Sequence, residues 1–198
     1  MDINDLLYSD SPVENAKSGE LLISEPMMDD AYFSRSVVLM LDTPKEGGHL
    51  GIMLNKITNV TLRDLMPDWD AGERIPIFCG GPVDMQRMFL IHTLGDKFKS
   101  SLEILPGIYV GGDIDDMVQY IESGGEIEGK LRVFLGYCGW EPEQLKGEIR
   151  RHSWAVNEKP STHRLLDGYG IDYWRREVKA LGESYRSWLM VPPDPSFN

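Results

Sequence analysis

The stretch that most constrains this chain is an apolar run, Leu131 to Leu135, that passes directly into Gly136-Tyr137-Cys138-Gly139-Trp140. The run has the length of a buried strand. The Glu-Pro-Glu-Gln-Leu that follows Trp140 reads as the start of a helix, with Pro142 suited to its first position. A strand is therefore expected to leave the core through a glycine-bracketed turn, present Trp140, and enter a helix. Gly136 and Gly139 permit backbone angles and close approaches that residues with a Cβ resist. A second turn of this kind, Cys79-Gly80-Gly81-Pro82-Val83, lies earlier. In open sheets ligands gather beyond the carboxyl ends of strands, so both turns mark places where a site can form.

The remaining pattern is mixed. Leu21-Leu22-Ile23 reads as a strand that Pro26 ends. Val37–Leu41 and Leu50–Leu54 are two apolar runs joined by Lys45-Glu46-Gly47-Gly48, which predicts an antiparallel hairpin. Residues 61–66 read as a short helical block, and 67–76 as an exposed loop. Met88–Ile91 is a further strand, and Pro106-Gly107 turns the chain between Leu102–Ile104 and Ile108–Val110. Asp113 reads as an N-cap. Ile114, Met117, Val118 and Ile121 then make one helical face, stopped by Gly124 and Gly125. Leu145 and Ile149 share one side of the next helix, and Ile171, Trp174, Val178 and Leu181 mark the last, ended by Gly182. Hairpins outnumber βαβ crossovers, so the class is α+β. One domain is expected over residues 1–198, with residues 1–18 as an N-terminal arm and the proline-rich 191–198 as a tail.

Composition excludes several functions. The net charge is −12, which argues against direct nucleic-acid binding, because phosphate contacts depend on Lys and Arg. The charge is uneven: residues 1–145 hold 11 basic and 25 acidic side chains, residues 146–198 hold 9 and 7. A local basic patch is thus compatible with the sequence, but a basic domain is not. No apolar run approaches the ~20 residues that span a bilayer, and the acidic N-terminus lacks a signal peptide's basic region. Two cysteines, Cys79 and Cys138, are too few for a disulfide framework and fit a reducing compartment. A cytoplasmic protein without membrane attachment is expected.

No familiar catalytic or metal pattern is present. Gly124-x4-Gly129-Lys130 has the spacing of a phosphate loop, but Leu131 stands where a hydroxyl must reach magnesium, and the order of helix and strand is inverted. His49, His92, His152 and His163 lack zinc-ligand spacing. There is no Gly-x-Ser-x-Gly elbow, and Cys138 precedes the expected helix by several residues, with no evident activating histidine. Neither metal nor cofactor is expected, and no catalytic residue is assigned. Trp140, Trp154 and Trp174 are read as packed indoles first, since tryptophan is mostly buried. Trp140 is the one best placed to meet a ligand.

Four blocks in order resemble the YqgE/AlgH family of small bacterial proteins. They are Gly19–Asp30 with Phe33 and Arg35–Val38; Gly48 with Leu50–Lys56; Gly80-Gly81-Pro82-Val83 through His92; and Gly136–Trp140 with Gln144, Leu145, Glu148 and Trp154. The similarity runs from about residue 19 to about residue 190. It implies a largely antiparallel, barrel-like branching sheet flanked by helices. Where this chain has Cys138 the family typically has a small residue such as Ala, so the fold does not call for thiol chemistry there. Members are often labelled transcriptional regulators, from one member's association with alginate regulation. No recognition helix joins a basic stripe here, so a protein partner is the easier route to any such effect. The sequence therefore favours a non-enzymatic binding or regulatory module. The alternative is an enzyme or small-ligand binder whose site joins Arg35, Asn55, Gly80, Gly81, Gly136, Cys138, Gly139 and Trp140.

Overall fold

The computed structural model describes residues 15–41, 48–67, 69 and 75–192. Most of the N-terminal arm, the centre of the first hairpin connection and most of the proline-rich tail lie outside the described residues. Ten strands form one curled, branching half-barrel sheet: β1 (Leu21–Ser24), β2 (Val37–Met40), β3 (His49–Met53), β4 (Ile57–Thr61), β5 (Pro76–Cys79), β6 (Val83–His92), β7 (Ser101–Leu105), β8 (Ile108–Gly111), β9 (Leu131–Trp140) and β10 (Trp154–Asn157). The helices are α1 (Leu62–Leu65), α2 (Ile114–Glu122), α3 (Gln144–Arg150) and α4 (Gly170–Ala180), followed by a 3₁₀ segment, Glu183–Met190. The class is α+β, as expected.

The sheet runs β10-β1-β2-β3-β9-β6-β8-β7, with β4 and β5 as a branch. Among the described residues, every pairing is antiparallel except β5 with β9. The branch arises along β9. Val133, Phe134 and Leu135 pair with β5 on one edge and with β6 on the other. Beyond the branch, Cys138, Gly139 and Trp140 pair with Gly51, Leu50 and His49 of β3. One ten-residue strand thus carries β5 and then β3 on the same edge.

The continuous apolar strands have covers on both faces, as such runs require. Leu21, Ile23, Val37, Leu39 and Ile52 pack with Trp174 and Val178 of α4. Their neighbours Leu22, Val38, Met40 and Met53 point the other way, to Leu145 and Ile149 of α3 and to Trp140 and Trp154. A third cluster joins Leu62, Ile77, Leu90, Leu131 and Val133 to Met117 and Ile121 of α2. Asp113 caps α2 as expected, accepting from the Asp115 N–H at 2.9 Å.

Four expectations need correction. Residues 136–140 are not a turn, because β9 continues through them to Trp140; Gly136, at φ +72°, bends the strand without reversing it. The stretch 67–76 is not wholly an exposed loop: Ile75 is buried, its carbonyl accepts from the Leu62 N–H at 2.8 Å, and Pro76 opens β5. The strand read at Met88–Ile91 begins at Val83. Ile114, placed on the apolar face of α2, is exposed; Met117 and Ile121 close that face, with Val118 half-buried beside them.

Candidate functional site

The two glycine segments do meet, but as packed backbone. At Cys79 the chain is paired with Leu135 on one edge of β9, and at Val83 it is paired with Tyr137 on the other. Gly80 and Gly81 therefore carry the chain across β9 at its Gly136 bend. The Gly80 N–H donates to Leu135 O at 2.8 Å, and Gly80 O accepts from Met53 N–H at 2.8 Å, handing the edge from β5 to β3. A Cβ on Gly80 would overlap the Gly136 carbonyl, one on Gly81 the Tyr137 carbonyl, and one on Gly136 the Gly81 carbonyl. These three glycines let one backbone lie directly on another. Gly139 differs: it is exposed, and a Cβ there would make only ordinary contact with the Tyr137 ring, at 3.4 Å.

Cys138 and Trp140 are interior residues. The Cys138 Sγ faces Gly80 O at 3.3 Å, and burial pushes its thiol up, away from the nucleophilic thiolate. Cys79 Sγ lies 2.7 Å from the Tyr32 hydroxyl, whose own titration is raised by burial and by that contact. Trp140 is 6% exposed. Its Nε1–H donates to Glu148 Oε2 at 2.9 Å, and the Trp154 Nε1–H donates to the same oxygen at 2.8 Å. Gln144 donates to the other carboxylate oxygen at 2.9 Å. A single glutamate thus satisfies both indoles.

Arg35 and Asn55 gather elsewhere, at the start of α4. Asn55 is 1% exposed and fully engaged: its Oδ1 accepts from Val37 N–H at 2.8 Å, and its Nδ2 donates to Arg35 O and Gly170 O, each at 3.0 Å. It ties three segments together. Arg35, at φ +51°, lays its guanidinium 5.6 Å from the Trp174 ring and donates to Pro192 O at 2.5 Å. Lys56 donates to Ser34 O at 2.6 Å, and burial followed by the nearby Arg35 lowers its pKa. These residues line a shallow recess of about 250 Å³. The eight sequence candidates therefore fall into two places: the β9 crossing and its continuation, where all but the exposed Gly139 are packed, and a polar recess held by Asn55.

The more enclosed opening lies in neither. A cavity of about 320 Å³ sits between β4, β5, the start of β9 and the loop before α4. Ile57, Pro76, Phe78, Leu166 and Tyr169 give it apolar and aromatic walls. Arg132 stands in its lining although only 6% of that residue is exposed. The guanidinium donates to Leu54 O at 3.0 Å and to Gly168 O at 2.5 Å, and lies 4.4 Å from the Phe78 ring and 6.0 Å from Tyr173. Burial pushes its pKa down to about 10, so it remains a cation at neutral pH. Sequence reading missed this residue. The signal was available: an arginine inside the apolar run Leu131–Leu135, where a charge is costly to bury.

A family model described as AlgH-like matches residues 21–186. The chain belongs to the AlgH-like family. A UPF0301 protein of Parabacteroides distasonis is 41% identical over 181 residues, covering 91% of this chain and 90% of that one. One from Chlorobaculum parvum is 32% identical over 189 residues, covering 96% and 100%. The solution structure of the AlgH protein from Pseudomonas aeruginosa superposes with a TM-score of 0.67 at 27% identity, over 94% of this chain and 98% of that one. Among the described residues, no three His, Cys, Asp or Glu side chains gather to hold a metal, and no helix is long and apolar enough to cross a membrane.

Proposed function

We propose that this protein is a non-enzymatic binding module of the cytoplasm, with the Ile57–Phe78–Tyr169 cavity as its ligand site and a protein partner as its output. The cavity carries this reading: about 320 Å³, apolar walls and a buried polar group fall within the range of small-molecule sites. Two further observations support it. The reactive-looking residues of the glycine blocks are committed to packing, Cys138 under Gly80 and Trp140 on Glu148. Two unbonded cysteines suit a reducing compartment. Any effect on transcription then runs through a protein contact, because the net charge of −12 repels a duplex.

A ligand-observed NMR screen of small aromatic fragments tests this, run on the wild type and on Ile57→Trp, which fills the cavity from an exposed strand position. Fragments that bind the wild type and lose the signal with Ile57→Trp support the reading. Hits that are indifferent to that substitution, or chemical turnover of a fragment, would reject it.

A further inference from the structure

We infer that the cavity selects small monoanions with an apolar or aromatic body, with Arg132 as the group that binds the anionic end; this rests on the cavity being the ligand site. Arg132 brings a positive charge into the interior, and among the described residues no carboxylate forms an ion pair with it. Asp167 is the carboxylate whose charge reaches Arg132, but it lies 3.5 Å from Arg164, and Glu177 lies 2.9 Å from Arg176. Two of the guanidinium's five N–H groups go to carbonyls, which orient it without neutralising it. The faces of Phe78 and Tyr173 offset part of its desolvation.

A buried charge of this kind is normally paired. The open space beside it is where a carboxylate could complete the pair through charge-assisted hydrogen bonds. The remaining walls set the rest of the ligand. Ile57, Pro76, Phe78 and Tyr169 suit a flat or branched hydrocarbon body. Glu128, exposed in the lining, disfavours a second negative charge on the solvent side. The class is therefore an aryl or branched-alkyl carboxylate, and not a nucleotide or other polyanion.

Matched probes test the charge separately from the cavity: benzoate against benzamide, and 3-phenylpropanoate against its amide, by isothermal calorimetry on the full chain. The acids are expected to bind at least about tenfold more tightly than the amides. Raising the salt should narrow the gap, and Ile57→Trp, which leaves Arg132 and its carbonyl bonds in place, should abolish it. Acids and amides binding equally well, both lost with Ile57→Trp, would overturn the anion selectivity while leaving the cavity as the site. Acids binding with unchanged affinity to Ile57→Trp would overturn both. No detectable binding of any of the four probes would also overturn the inference.

Discussion

At the scale of single residues, the glycines of the last block are not equivalent. Gly136→Ala puts a methyl into the Gly81 carbonyl and forces an alanine to φ +72°. Strain and overpacking together should cost at least about 3 kcal/mol. Gly139→Ala meets only the Tyr137 ring in ordinary contact, so it should change stability by less than about 1 kcal/mol. Urea denaturation of the two variants checks both, and equal losses would contradict the crossing. His92 makes a second residue-scale prediction. It is fully buried, its Nε2 is 2.9 Å from Ser101 Oγ, and its Nδ1 accepts from Leu94 N–H at 3.2 Å, which fixes the neutral ring with its proton on Nε2. Burial lowers its pKa. The unfolded chain therefore takes up the proton first. The stabilising contribution is complete above the ordinary histidine value of about 6.5 and is lost as pH falls through it toward the folded value. Urea midpoints should fall between pH 7.5 and 5.5 in the wild type and fall less in His92→Gln.

At the scale of elements, the joint between β9, β10 and α3 hangs on Glu148. Replacing it with Ala leaves the Trp140 and Trp154 indole N–H groups without their acceptor, at about 1–3 kcal/mol for each buried group. Glu148→Gln can keep one oxygen facing both indoles and loses only the acceptor for Gln144, so it should be the milder change, which a pair of urea titrations would show. This joint also explains what sequence reading could and could not see. The strands with continuous apolar runs were legible, since β1, β2, β3 and the first half of β9 are buried on both faces. The Asp113 cap and the Pro106-Gly107 hairpin were legible because their signals are local. The second half of β9 was misread as a turn because glycine marks permissive backbone without saying whether the chain reverses, bends or is crossed. The strand β4, with its mostly solvent-facing residues, and the short β10 carried no pattern strong enough to read.

At the scale of the whole molecule, the proposed ligand site lies away from the most recognisable sequence. The glycine blocks serve the architecture: at Gly80, Gly81 and Gly136 one backbone lies directly on another. The cavity is assembled from β4, β5, β9 and the loop before α4, segments far apart in sequence, and no motif spans them. Arg35 and Asn55, grouped in the sequence with the glycine segments, lie together but apart from them, and Asn55 is spent on backbone contacts. An acidic surface should keep the protein off duplex DNA even at low salt. A gel shift that retarded a duplex and weakened steeply with salt would contradict this.

The most direct test of the account is a protein-observed NMR titration with benzoate. Amide and side-chain shifts are predicted to cluster at Ile57, Phe78, Arg132 and Tyr169, with Gly80, Gly81 and the Gly136–Trp140 stretch unmoved. Shifts concentrated at the glycine crossing, with the Arg132 cavity silent, would contradict it.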